Sequence, residues 1–260
     1  MIYSKALGIV PTTSVDVISD VHLTNDTLRQ RCLEIPKTSN MLILAGDIAK
    51  VEDDWVCLIA YLSVCCLNYK AVFYVLGNHE YYSSTGKVDM DTVMTRVQSL
   101  SRIFTNLIVL ENSCYTIKHL KVVIFGATMW SNADEKIFPS TIPIFSKEDT
   151  HITFEKWQLL HFKSRLALSK AIEYAKSIGH KLVVVTHYSP LFNETLEAKY
   201  HSNNKNSMYC TDLSSYFPDV NLWIYGHTGF NTDIQRGNTR ICSNQYDVPR
   251  VLSRSIFIDE

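Results

Sequence analysis

The sequence predicts an α/β fold with two packed sheets and flanking helices, and three observations predict it. First, five apolar, β-prone runs end abruptly in Asp, His or Asn. Residues 15–19 lead into Asp20-Val21-His22, residues 41–44 into Ala45-Gly46-Asp47, and residues 73–76 into Gly77-Asn78-His79-Glu80. Further on, residues 182–186 lead into His187 and residues 222–225 into Gly226-His227. Open α/β sheets place their ligands at the carboxyl ends of strands. Second, stretches with helical apolar spacing separate the first three runs. Third, residues 107–125 read as strand next to strand, which calls for antiparallel pairs and a second sheet.

In order along the chain, residues 15–19 form the first strand. Residues 27–33 make a brief helix, closed by Pro36. The second strand is 41–44. Asp53 and Asp54 supply acidic residues for the first turn of a helix running to about residue 69. Within it Trp55, Leu58, Ile59, Leu62 and Cys66 recur at helical spacing. Strand 71–76 ends in the Gly-Asn-His-Glu motif. A helix over 90–104 precedes strands at 107–110, 114–117 and 122–125, with a turn at Lys118-His119.

Residues 126–150 are irregular and contain Pro139 and Pro143. A long helix over 153–178 follows. Phe154, Trp157, His161, Leu168, Ile172 and Ala175 trace its apolar face, and Gly179 caps it. After the strand to His187, Pro190 keeps the chain from continuing as sheet. Residues 193–207 read as a polar surface loop and 211–216 as a short helix. Residues 233–236 and 239–243 form a hairpin around Gly237-Asn238. There is no internal repeat, low-complexity segment or linker, so residues 1–260 read as a single domain.

With 46% hydrophobic residues in 260, the chain can bury a full core. Its net charge is −1 and no basic block stands out, which argues against a nucleic-acid footprint. Seven cysteines, with no metal-type CxxC spacing, point to a reducing, intracellular and cytoplasmic setting. Lys5 interrupts the short apolar stretch at residues 1–10, so it is not read as a signal peptide. No run approaches the ~20 apolar residues of a membrane span.

The five strand ends together offer two carboxylates (Asp20, Asp47), one amide (Asn78) and four imidazoles (His22, His79, His187, His227). This is an oxygen and nitrogen donor set without thiolate, suited to Mn, Fe or Zn. Seven groups exceed the needs of one ion. Two ions ~3.5–4 Å apart, sharing a carboxylate, would use them and would clamp the oxygens of a phosphoryl displacement.

In their order and placement, Asp20-x-His22, Gly46-Asp47, Gly77-Asn78-His79-Glu80, His187 and Gly226-His227 resemble the motifs of the calcineurin-like metallophosphoesterases. The resemblance runs from about residue 15 to 245. Phe125-Gly126-Ala127-Thr128-Met129-Trp130 and Thr186-His187-Tyr188-Ser189-Pro190 are similar to segments of the family's small soluble members. It implies a four-layer α/β/β/α sandwich of two mixed sheets. It also implies a metal-dependent phosphoesterase that hydrolyses a phosphomonoester or phosphodiester with a metal-activated water. Carried over motif by motif, Asp20 and His22 bind the first metal, Asp47 bridges, and Asn78, His187 and His227 bind the second. His79 is then catalytic: it faces the phosphate, stabilising developing charge or protonating the leaving oxygen. Glu80 receives no role beyond capping the segment after it.

One position departs from the family pattern. Its last motif is usually Gly-His-x-His, but here it reads Gly226-His227-Thr228-Gly229. Gly229 can ligate nothing, so the first site keeps Asp20, His22 and Asp47 and loses its outer ligand. Either water fills the gap, or Asn231 or His201 compensates, or the site has degenerated. The expectation is a weakened but active enzyme holding one or two divalent ions. The expected partner is a small phosphorylated substrate, a nucleotide among the candidates. Two rival readings are a phosphoesterase-fold module that binds a nucleotide or protein without turnover, and a nuclease of the same superfamily.

Taken singly, most other polar residues have a plainer reading. His119, His151, His180 and His201 read as turn or surface residues, and His161 as a core histidine. Trp157 reads as core. Phe138 and Phe145 fit a cleft rim as well as packing. Arg236, Arg240 and Arg250 receive no assignment.

Overall fold

Residues two apart in a strand face the same side, and in this protein each side of each sheet has its own apolar partner. The computed structural model describes residues 14–147, 149–201, 204–246, 248 and 255–257. Strands β1 (Ser14–Ile18), β2 (Met41–Ala45), β3 (Ala71–Val75) and β4 (Leu107–Leu110) lie side by side and parallel. Helices α1 (Leu28–Leu33), α2 (Trp55–Asn68) and α3 (Met90–Leu100) make the crossovers that parallel pairing requires. Asp89 caps α3 by accepting the Thr92 N–H at 2.8 Å.

The second sheet starts with the antiparallel pair β5 (Ser113–Ile117) and β6 (Val122–Ala127). A small hairpin, β7 (Phe145–Lys147) with β8 (Thr150–His151), and the long helix α4 (Phe154–Ser177) come next. Strands β9 (Lys181–Thr186) and β10 (Leu222–Tyr225) join β6 in parallel. The hairpin of β11 (Asp233–Arg236) and β12 (Thr239–Ser243) completes the sheet, whose order is β11-β12-β10-β9-β6-β5. The last described strand, β13 (Ser255–Phe257), returns to the first sheet and pairs antiparallel with β1.

The cores follow from the alternation. In β3, Val72 and Tyr74 pack with α2 and α3 residues such as Leu58, Leu62, Val93 and Val97. Phe73 and Val75 face the other way, into a layer shared with Ile124, Val183, Val185 and Ile224 of the second sheet. Val123 and Phe125 turn outward onto Leu168, Ala171 and Ile172 of α4. Helices, sheet, sheet and helix thus make the expected four-layer α/β/β/α sandwich of two mixed sheets.

Several boundaries moved. The helix expected over 90–104 ends at Leu100, and the strand expected over 122–125 continues to Ala127. Asp53 and Asp54 precede α2 instead of forming its first turn. The helix expected at 211–216 is a 3-10 turn at Ser214–Asp219. The stretch 126–150 contains the β7/β8 hairpin, and the loop 193–207 buries Thr195, Leu196 and Asn206 instead of lying wholly in water. The stretch 1–10 and Arg250 lie outside the described residues. No described helix is long and apolar enough to cross a membrane.

Candidate metal centre

The carboxyl ends of β1, β2, β3, β9 and β10 converge on one edge where the two sheets meet. The chain turns sharply there. Asp20, His22, Asp47 and His227 all take positive φ, at 55°, 47°, 54° and 74°. Non-glycine residues rarely do so, and such strain concentrates at functional sites. Two glycines make the close approach possible. A Cβ on Gly77 would overlap Asp47 Oδ1 and lie 2.7 Å from His187 Nε2, and one on Gly46 would overlap the His187 ring.

Asp47 is the hub. Its Oδ1 lies 3.2 Å from His187 Nε2 and accepts the His79 N–H at 2.8 Å. Its Oδ2 lies 3.9 Å from His79 Nε2. The ligating atoms of His22, Asp47 and His79 lie within 4.8 Å of one another, and so do those of Asp47, His187 and His227. Asp47 therefore belongs to two clusters at once. His187 donates from Nδ1 to the Ala45 carbonyl at 2.9 Å, which turns Nε2 toward Asp47 and toward Asn78 Oδ1 at 3.0 Å. Asn78 Nδ2 donates to the Tyr82 hydroxyl at 3.0 Å, so its oxygen faces the cluster. Asp20 sits beside these groups, its carboxylate accepting the His227 N–H at 3.0 and 3.1 Å and the Ser19 hydroxyl at 2.5 Å.

Ionisation follows from this crowding. Burial raises Asp20 to about 6, helped by Asp47 and opposed by His187. Burial also acts to raise Asp47, but His187 outweighs it and holds the carboxyl below its ordinary range. Burial would lower His187, yet Asp47 lifts it to about 9. Burial and the neighbouring His187 push His227 down to about 3, keeping its imidazole neutral. Burial lowers His79 too, against the pull of Asp47.

These groups fit a divalent cation. His227 Nε2 is sealed from solvent without a hydrogen-bond partner among the described residues. Its ring shares a cluster with the Asp47 carboxylate and the His187 imidazole, a combination that suits a metal ligand set. The donors are oxygen and nitrogen throughout.

Other expectations resolve differently. Asn231 Oδ1 accepts the Gln245 N–H at 2.7 Å, and His201 Nε2 meets the Leu196 carbonyl at 2.9 Å, so both are engaged in loop structure. Arg236 pairs with Glu194 and Arg240 with Asp233 at 2.7 Å, not with the cluster. His161 is a core residue bonded to the Trp130 carbonyl. Phe138 packs edge-on against Phe154 and Trp157, Phe145 lies tilted against His151, and neither is among the residues lining the cavities beside the cluster.

Two contributors escaped the sequence reading. Glu80 is buried, and its carboxylate accepts four donors: the N–H groups of Asp47, Ile48 and Gly77 and the Tyr74 hydroxyl, at 2.6 to 2.9 Å. The correction to its capping role is plain, because it ties the β2 and β3 turns together. Gln245 holds the turn carrying Gly229. Its Oε1 accepts the Gly229 N–H at 2.7 Å and its Nε2 donates to Thr228 and Phe230. Glu80 stood inside a noted motif; Gln245 had no local signal.

A two-sheet sandwich carrying two carboxylate–histidine clusters at its carboxyl edge defines a metal-dependent hydrolase. Residues 13–229 match the family described as calcineurin-like phosphoesterase, and the chain belongs to that family, whose members hydrolyse phosphoric esters. An uncharacterized protein of Acanthamoeba polyphaga mimivirus is 25% identical over 202 residues, 68% of either chain. The fold is similar to that of a phosphopantetheinyl hydrolase from Mycobacterium tuberculosis, with TM-score 0.66, 14% identity and coverage of 92% of this chain and 90% of that one. A dimetal phosphatase from Danio rerio gives TM-score 0.51 at 13% identity, covering 90% and 87%.

Proposed function

We propose that this phosphoesterase hydrolyses a small phosphomonoester or phosphodiester at a binuclear centre built on Asp47. The observation that carries this reading is the membership of Asp47 in both three-residue clusters. Asn78, His187 and His227 would hold one ion, and Asp20 and His22 the other, with Asp47 between them. Mn, Fe or Zn suits these donors. Such ions acidify a water and neutralise phosphate charge. The zebrafish neighbour's description as a dimetal phosphatase supports a pair of ions.

The protein's own groups divide the remaining work. His79 is a partly open member of the cluster, its side chain 34% exposed. Burial pulls its pKa below the ordinary value, against the attraction of Asp47. From that position it would give a hydrogen bond to a phosphate oxygen or a proton to the leaving oxygen. Tyr82 stacks on its ring at 4.4 Å and fixes its orientation. Asp20 braces the His227 backbone from below.

Gly229 brings no ligand, and the position is exposed. The first ion would therefore be held more weakly than the second. The deciding experiment is elemental analysis of protein purified without chelator, paired with hydrolysis of a chromogenic phosphodiester in added Mn²⁺. Asp47→Asn should lose metal from both positions and abolish turnover. Unchanged metal content in that variant would reject the shared carboxylate. Bound metal without turnover on any phosphate ester would favour a binding module instead.

A further inference from the structure

A cavity of about 300 Å³ opens beside the centre, and Asn78 and His227 form one end of it. Its size falls at the lower end of small-ligand pockets. It lies within reach of the organic group of an ester held at the cluster, as does a cavity of about 310 Å³ on the other side that His22, Lys50, Asp54 and His79 line. The walls of the first are of one character. Tyr82, Trp157, Tyr188 and Tyr209 supply rings, and Ile142 and Met208 supply apolar surface. Among the described residues no acidic side chain lines it, and Lys205 is its one cationic side chain, His227 being neutral.

The rings are set in place before any ligand arrives. Tyr82 stacks on His79 with 27° between planes, and Tyr188 and Tyr209 lie 4.2 and 5.2 Å from the His227 ring. Tyr209 is nonetheless 44% exposed, a large ring left in water at the mouth. A third cavity, of about 280 Å³, shares Lys205 and Tyr209 with the first and adds Tyr200. Tyr200 is also largely exposed.

We propose that this cleft recognises the planar aromatic group of an anionic phosphate ester, with Tyr209 as the specificity-determining contact and Lys205 beside the ester's charge. The proposal rests on the phosphoesterase reading above and names the substrate class for it. Aryl and nucleoside esters share this chemistry.

The test is calorimetric binding to the Mn²⁺-loaded full chain. The probes are inorganic phosphate, then two matched pairs: phenyl against methyl phosphate, and adenosine 5′-monophosphate against ribose 5-phosphate. The aromatic member should bind about tenfold tighter in at least one pair, as expected for one stacked ring. Preference in the nucleotide pair identifies a nucleobase, and preference in the phenyl pair alone identifies another aryl group. Tyr209→Ala should remove most of the advantage and Tyr209→Phe should retain it. Equal binding within both pairs overturns the proposal, as does an aromatic preference that survives Tyr209→Ala. The wild-type comparison decides the matter even where the alanine variant fails to fold. Absence of inorganic phosphate binding would instead strike at the phosphoesterase reading itself.

Discussion

Glu80 stands behind Asp47, its Oε2 accepting the Asp47 N–H at 2.9 Å while its Oε1 accepts the next N–H, of Ile48, at 2.6 Å. The same carboxylate holds Gly77 N–H and the Tyr74 hydroxyl. One side chain thereby fixes the β2 turn that carries Asp47 and the β3 turn that carries Asn78 and His79.

Removing that anchor leaves three buried N–H groups without an acceptor. An unsatisfied buried donor costs about 1–3 kcal/mol. Glu80→Ala should therefore lose on the order of 3 kcal/mol or more in denaturant unfolding. Its metal content should fall in parallel, because the two turns would part. Glu80→Gln, which keeps one acceptor oxygen, should fall between. A wild-type unfolding midpoint for the alanine variant would remove Glu80 from this role.

His79 gives the cleanest separation of catalysis from metal binding. Under the proposed assignment, His79→Ala lowers kcat by about 10²–10⁴-fold, the range for a lost proton donor. Elemental analysis of the same sample should show metal close to wild type. Equal loss of metal and turnover would make His79 a ligand, alongside His22 and Asp47 of its cluster.

At residue 229 the fold leaves room for the absent side chain. A Cβ there would meet nothing within 4 Å, although the backbone sits at φ 63°. Gly229→His should thus fold, with a penalty of about 1–2 kcal/mol for the left-handed backbone. Metal per chain should rise, and phosphodiester turnover with it. Unaltered stoichiometry at two ions would mean that the wild-type first site is already complete.

A partly buried acid away from the centre predicts a pH dependence of stability. Glu111, between β4 and β5, accepts the Thr128 N–H and hydroxyl at 2.9 Å each. Burial raises its pKa to about 7, with the two Thr128 hydrogen bonds opposing. The folded state then binds this proton more tightly than the unfolded state does. Its contribution is complete below the ordinary carboxyl range near 4.5 and is lost as pH rises through about 7. Unfolding of wild type and Glu111→Gln across pH 4–8 isolates the effect: their difference should change over that window and flatten above it. A constant difference would show that Glu111 titrates normally.

Much of the centre was legible because strand periodicity is local and strand ends are where such sheets bind ligands. The five runs, their terminal Asp, Asn and His residues, and the order of the motifs could all be read without coordinates. What stayed hidden depends on distance along the chain. Glu80 reaches residues 47 and 48 only after β2 and β3 have paired. Gln245 meets Gly229 across sixteen residues of hairpin. β13 pairs with β1 from the opposite end of the chain. The positive φ angles at Asp20, Asp47 and His227 could not be read from residue type, although Asp and His are among the residues that adopt them most. The β7/β8 hairpin lies in a stretch without regular alternation, where neither helical nor strand period could be recognised.

The division of the centre between two sheets has a mechanical consequence. Asp20, His22, Asp47, Asn78 and His79 ride on the first sheet, and His187 and His227 on the second. Between the sheets lie Val17, Ile43, Phe73, Ile124, Val185 and Ile224, buried side chains with no part in the chemistry. Their combined thickness acts as a spacer gauge for the jaws above them. A methylene added or removed in that layer would change the gap between Asp47 and His187, and with it the radius of cation the proposed centre would hold.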